Sequence, residues 1–421
     1  MIHCLLLAVP FVAVALALRG LSRDFWVYQG YDELVHYQTV LAAAAQWPRP
    51  LLSGYYSWSG PLVYWLIATL ARPFGASLAA ARLVVMMMSW ATCVTAYVIL
   101  RDRLGAKPLV ALALSLVLAL SPFFFGESFR VLTDNPTWLF VALALERLLA
   151  YVRRPVLSRL AVFAACAAVA TLMRQVSVWL FLPALVALVS VPSSSRRRAA
   201  GLLILALGLV PLAGLVVYWG GATVGGGVGP AASPLAFRVR NVLMALGVVG
   251  LWSFLVIPSE ELKALPAKLG RRGLTAVGIG VAVCLAALAA HAMRSLGGGD
   301  PYGIGIVGRL SESLRGPLGT SLSWWVLAPV GTAAVVALAV TRWRSLSDRI
   351  LVTGLAGLLV TAAANGTWFQ RYVDFPVLLI LVALAASAGV PWRSVDRVRL
   401  AGVVVISVFW TAAVALSVLA S

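Results

Sequence analysis

Asp32 and Glu33 stand side by side about fourteen residues after the first apolar segment of the chain, with Trp26, Tyr28 and Tyr31 before them and His36 after them. Asp32 and His36 are four residues apart, so on a helix they share a face. A carboxylate held beside aromatic surface at the edge of an apolar segment can act as a general base toward a hydroxyl group. A third carboxylate, Asp134, is followed by Asn135 and Pro136. That order also marks the start of a helix, so capping and substrate contact both remain open for Asp134. Arg130, Arg174 (followed by Gln175) and Arg371 (followed by Tyr372) fall where apolar segments end, beside acidic or amide residues. Guanidinium groups present planar forks of N–H donors that bind phosphate bidentately and stay charged near a membrane. The ordinary alternative for each arginine is to reach lipid phosphate or to pair with a neighbouring carboxylate.

These residues must be held by a chain that is 62% hydrophobic and 11% charged over 421 residues. Its apolar runs are near the length of a bilayer crossing, and short arginine-rich turns separate them, which excludes a soluble domain with one core. The runs lack period-two alternation, so their backbone groups must be satisfied inside helices and not in a barrel. The expected fold is all-α and polytopic, a single integral membrane domain over 1–421. Spans are expected at 2–18, 80–100, 108–125, 137–152, 160–173, 176–191, 199–219, 242–257, 274–293, 323–341, 350–364, 373–390 and 401–419. That makes about thirteen crossings by the length criterion.

The positive-inside rule orients them. Arginine and lysine concentrate at 101–107, 153–154, 196–198, 263–272, 342–349 and 393–399, on alternate sides of successive spans. With those turns cytoplasmic, the N-terminus is cytoplasmic and residues 19–79, carrying the acidic pair, form an outer-face catalytic loop. Met1, Ile2 and His3 supply no Lys or Arg ahead of the first apolar run, which therefore reads as an uncleaved anchor of a protein in the cell inner membrane or plasma membrane. The net charge of +19 lies in short loops between spans, so membrane lipids and not nucleic acid are the expected partners. Cys4, Cys93, Cys166 and Cys284 all sit in apolar runs without Cys/His clustering, and neither a disulfide framework nor a metal site is expected.

Within the outer segment, residues 61–71 are apolar but short for a span, and Tyr55, Tyr56, Trp58, Tyr64 and Trp65 cluster around them. An interfacial or re-entrant helix fits that pattern. Further outer connections are expected at 126–136, 220–234 and 294–321, the last two glycine-rich. No fixed-period repeat and no inverted pair of broken helices is visible, whereas secondary transporters often carry such symmetry.

Asp32-Glu33 after the first span, then Gly60-Pro61-Leu62-Val63-Tyr64-Trp65-Leu66-Ile67, then Ala81-Arg82-Leu83 at the next span, resembles the multispan glycosyltransferases of the GT-C superfamily. Leu132-Thr133-Asp134, Met173-Arg174-Gln175 and Phe369-Gln370-Arg371-Tyr372 with Pro376 are most similar to the dolichyl-phosphate-glucose-dependent α-1,2-glucosyltransferase family. The resemblance implies an inverting transfer of glucose or another hexose from a polyprenyl phosphate donor to a glycan or glycolipid acceptor on the non-cytoplasmic face. It implies Asp32 as catalytic base with Glu33 supporting it or holding the acceptor. His36, Arg130, Asp134, Asn135, Arg174, Gln175, Arg371 and Tyr372 would then bind substrate, with Arg174 and Arg371 toward the lipid phosphate and no separate metal or cofactor required. A transporter or lipid-linked glycan flippase is the rival reading, since buried charges also line ion paths. A carrier would place those charges near the bilayer midplane, whereas here they gather at helix ends.

Overall fold

The computed structural model describes residues 2–17, 30–55, 59–221, 238–295, 317, 322–364, 371–389, 396–402 and 404–405. The side chains of 17, 30, 31, 291–295 and 371 lie outside that description, as do most of the expected connections at 220–234 and 294–321, the last expected span, and Trp26, Tyr28, Tyr56 and Trp58. All regular structure among the described residues is helical. Two compact units are present, one of Met1–Val178, Pro192–Gly229 and Ala401–Ser421, the other of Trp179–Val191 and Pro230–Leu400.

In the first unit the helices are α1 (Ile2–Leu6), α2 (Val9–Ala17), α3 (Gly30–Gln46), α4 (Pro61–Ala71), α5 (Leu78–Val98), α6 (Pro108–Ala119), α7 (Pro122–Glu127), α8 (Asp134–Arg153) and α9 (Leu157–Met173), with α11 (Ser195–Trp219) further along the chain. Three expected spans have interruptions. The first breaks between α1 and α2. The run at 108–125 stops at Ala119 and restarts at Pro122, whose missing N–H suits the first position of a helix. The run at 176–191 opens as a 3₁₀ turn, Gln175–Leu180, before α10 (Phe181–Ser190) of the second unit. Helix α4 has 11 residues, which span about 16 Å, too short to cross a hydrocarbon core of about 30 Å.

Six helices among the described residues are long and apolar enough to cross a bilayer, and five shorter apolar helices accompany them. Only 11% of the apolar window of α11 is buried, with Leu203, Leu207, Val210 and Val217 exposed. An apolar helix left so open is stable facing lipid and not water. The protein is an all-α, multi-pass membrane protein.

Helix α8 turns Trp138, Val141, Ala142, Leu145, Leu148 and Leu149 inward at helical spacing, packing on α5 and α9. Beneath the polar residues described below, Val40, Ala43, Val63, Ile67, Ala68, Ala71, Ala81, Val85, Val131 and Met173 form one apolar cluster from α3, α4, α5, the end of α9 and the loop before α8.

The second unit holds α10 and α12 (Val239–Val256), α13 (Ser259–Ser295, bent at Gly270), α14 (Leu322–Arg342), α15 (Leu346–Ala364) and α16 (Arg371–Ser387). Its tightest crossing joins α12 to α14. A β-carbon on Gly331 would lie 1.8 Å from the Leu246 carbonyl oxygen, and one on Gly250 would lie 2.1 Å from that of Leu327. The two glycines let the backbones touch, which is how helices gain dispersion energy where lipid removes the hydrophobic drive. Gly331→Ala should destabilise the purified protein by about 1–3 kcal/mol through overpacking. Gly214→Ala in α11, where nothing lies within 4 Å of the added carbon, serves as the comparison and should not lower stability. Thermal denaturation in one detergent reads both; equal loss in the two variants would contradict the close crossing.

Candidate active site

Helix α3 begins at Gly30 and carries Asp32 and Glu33 in its first turn, where the positive end of the helix dipole favours carboxylates. The two neighbours meet different surroundings. Glu33 is 5% exposed and fully engaged: Arg82 donates from Nε to Oε1 at 2.8 Å and from Nη2 to Oε2 at 2.7 Å, and the Val131 backbone N–H donates to Oε1 at 2.8 Å. Arg82 lies in the opening turns of α5, where the dipole disfavours a cation, and at 1% exposure its charge is met by the Glu33 carboxylate. Successive residues of a helix point about 100° apart, so locking Glu33 inward turns Asp32 toward the half-buried edge of α3.

A second buried ion pair lies at the same end of the unit. Arg174 donates from Nη2 to Asp134 Oδ2 at 2.9 Å, with both residues almost fully buried. Asp134 opens α8 and Arg174 follows the last residue of α9, so each charge meets the helix end that favours it. Thr133 makes no capping bond to α8; its hydroxyl instead hydrogen-bonds the Ser59 hydroxyl at 2.8 Å. The following residue, Gly60, donates its N–H to the Met173 carbonyl at 2.8 Å and satisfies an orphan acceptor at the end of α9. A β-carbon on Gly60 would lie 1.9 Å from the Leu172 carbonyl oxygen, so only glycine allows the segment before α4 to reach Arg174's neighbours.

His36 and Tyr64 connect the two pairs. A 2.7 Å hydrogen bond joins His36 Nδ1 to the Tyr64 hydroxyl, and Tyr64 packs edge-on against Tyr55 at 5.4 Å between ring centroids. Tyr55 donates to the Ser59 carbonyl at 3.2 Å, and burial, with a smaller effect of Tyr64, pushes its phenol pKa well above the ordinary tyrosine value. Polar and aromatic contacts thus run from α3 through α4 to Ser59 and Thr133, the chain neighbour of Asp134.

Among the residues expected from sequence, Asp32, Glu33, His36, Asp134 and Arg174 therefore meet at one end of the first unit. Asn135, in the first turn of α8, is 1% exposed and donates its amide N–H groups to the Phe124 carbonyl at 2.8 Å and to the Ser128 hydroxyl at 2.9 Å, which ties α8 to α7. Arg130 is half-buried on the loop entering α8. Gln175 is half-buried beside Arg174, and its Nε2 has no hydrogen-bond partner among the described residues. Arg371 and Tyr372 open α16 in the second unit; the Arg371 side chain lies outside the described residues, and Tyr372 is buried. Sequence inspection passed over Arg82, Ser59 and Thr133 as contributors. Arg82 had a readable signal, since it is an arginine at the non-arginine-rich end of a span, the same anomaly that singles out Arg174. Among the described residues no group of His, Cys, Asp and Glu is arranged to hold a metal ion.

Residues 59–219, which contain most of this polar end, match the sequence profile of a family described as dolichyl-phosphate-mannose-protein mannosyltransferase. No curated protein sequence matches the chain. Among solved structures it is similar to the S. cerevisiae protein O-mannosyltransferase Pmt1-Pmt2 complex bound to the sugar donor, at 18% identity and a TM-score of 0.40, over 55% of this chain and 36% of the yeast chain. The description of the matched family names a mannosyltransferase, so the resemblance to a glucosyltransferase family gains no support of its own from this match.

Proposed function

We propose that the protein is an integral membrane glycosyltransferase that moves a hexose from a polyprenyl phosphate to a hydroxyl of a lipid-linked or cell-envelope glycan on the non-cytoplasmic face. The observation that carries this reading is the half-buried Asp32 beside a fully committed Glu33, at the same helix end as the buried Asp134–Arg174 pair. The profile match over 59–219, a family whose description names a dolichyl-phosphate sugar, supports the donor class and makes mannose as good a candidate as glucose.

In the reaction, the acceptor oxygen forms a bond to the anomeric carbon while the bond from that carbon to the donor phosphate breaks. Asp32 takes the proton of the acceptor hydroxyl, and the electron pair of the broken bond leaves on the lipid phosphate, with inversion at carbon. A hydroxyl is a poor nucleophile at neutral pH, so the base lowers the barrier as the proton departs. Arg174, already oriented by Asp134, is assigned to the leaving phosphate, whose growing charge it stabilises more in the transition state than in the ground state. Gln175 adds an amide donor next to Arg174. Glu33 acts through position: with Arg82 and Val131 it sets the angle of α3 and so the direction of Asp32. Asn135 likewise positions α8, while His36 and Arg130 are assigned to the sugar and lipid surroundings.

Asp32→Asn should reduce sugar transfer by about 10²- to 10⁴-fold while thermal stability is retained. Radiolabelled polyprenyl-phosphate glucose and mannose, offered in turn to purified protein and followed by label release, read both the loss and the preferred hexose. Wild-type transfer rates in the Asn variant would remove Asp32 as the base.

Glu33→Gln should destabilise the protein by about 3–5 kcal/mol, because it removes the charge that Arg82 meets in a buried bidentate pair. Adding Arg82→Gln should recover much of that stability and, with it, transfer activity. A double variant that is stable yet inactive would instead assign Glu33 to the chemistry.

A further inference from the structure

The opposite end of the same helices holds a second charged constellation that sugar transfer does not use. A cavity of about 400 Å³ is lined by Arg103, Arg153, Arg154 and Arg159. Arg103 closes the π-helical turn that follows α5, Arg153 ends α8, Arg154 caps it, and Arg159 lies in the first turn of α9. Helices α5 and α8, of 21 and 20 residues, separate this cavity from Arg82 and Asp134 by about 30 Å.

Three of the four guanidinium groups are held in place from one edge. Arg103 donates from Nε to Glu146 Oε1 at 2.7 Å. Arg153 donates from Nη1 to the Asp102 carbonyl, and Arg159 from Nη1 to the Ala150 carbonyl at 2.7 Å. Each guanidinium has five N–H donors, so most of this donor capacity is left for a ligand. Arg154 makes no side-chain hydrogen bond or ion pair among the described residues. The neighbouring carboxylates do not balance the charge. Glu146 is shared between Arg103 and Arg147, and Asp102 pairs with the exposed Arg101. Pre-positioned cations around an open cavity lose little side-chain freedom on binding an anion.

The surroundings favour a lipid as the source of that anion. Val156, between Arg154 and Arg159, is 50% exposed, Val162 on α9 is 46% exposed, and Leu109 at the start of α6 is 72% exposed. Apolar surface is therefore exposed on α6, on α9 and on the turn between the cavity's arginines, where acyl chains would lie. Guanidinium forks match phosphate oxygens bidentately, and the cavity is larger than a bare phosphate ion.

We propose that this four-arginine cavity binds the phosphate of an anionic lipid headgroup at the membrane face opposite the Asp32 end. The site is independent of the sugar-transfer reading, and its test does not require activity.

The full-length protein is reconstituted into nanodiscs of phosphatidylcholine and phosphatidylglycerol, then released and weighed by native mass spectrometry. Phosphatidylglycerol should be retained in preference to phosphatidylcholine, and Arg154→Gln should weaken that retention by about fivefold. The Arg154 side chain makes no hydrogen bond or ion pair among the described residues, so the variant keeps its folded contacts; Arg344→Gln, which removes an exposed charge in the second unit, should leave retention unchanged. Equal retention of the two lipids, or equal retention by wild type and Arg154→Gln, would overturn the site. Absence of lipid preference together with a thermal shift by inorganic phosphate that Arg154→Gln removes would put a free phosphate there and overturn the lipid assignment.

Discussion

The Glu33–Arg82 pair is the contact on which the polar end of the first unit depends. Its two charges are almost completely removed from solvent, and each would be costly to bury alone. Together with the Val131 N–H they join the start of α3, the start of α5 and the loop that leads into α8. A bidentate fork tolerates little rotation, so α3 has one angle about its axis. Asp32 inherits its direction from that angle, and so does His36, which shares its face and bonds Tyr64 of α4. Mere proximity of two helices would leave such a side chain free to turn away; the ion pair removes that freedom.

The same unit separates its charges lengthwise. At one end, each buried guanidinium is matched by a buried carboxylate, Arg82 with Glu33 and Arg174 with Asp134. At the other, arginines outnumber acids around an open cavity. Between the ends lie helices of about bilayer length. Matched pairs can be buried inside protein because their mutual attraction and hydrogen bonds offset desolvation. Unmatched cations must stay accessible to water or to anions, and that physical difference gives the two ends different chemical uses.

Parts of this arrangement were legible in the chain. The all-α class followed from apolar runs that only helices can satisfy in lipid, and some observed helix starts coincide with Pro or Ser: Pro61, Pro108, Ser77 and Ser194 stand at or beside them. The carboxylates and arginines of interest were visible as charges in the wrong place for topology alone. The interruptions at residues 7–8 and 120–121 were not visible, because hydropathy stays high across them and a break inside an apolar run depends on neighbouring packing. Thr133 illustrates a different loss: its type and position suit a cap, yet its hydroxyl is taken by Ser59, a residue 74 positions away.

What the sequence determined by itself is the membrane habit, the helical class and the inventory of reactive groups, since all three follow from local composition and period. Tertiary structure alone decided how those groups divide their work. Asp32 and Glu33 are equivalent by type and adjacent in the chain, but one is half-buried and the other is locked to Arg82. Likewise Gly60 is one of 36 glycines, and only the approach of Leu172 shows why no side chain fits there. The reason is that desolvation and hydrogen-bond partners are properties of the surroundings a residue is folded into, and those surroundings come from segments far apart along the chain.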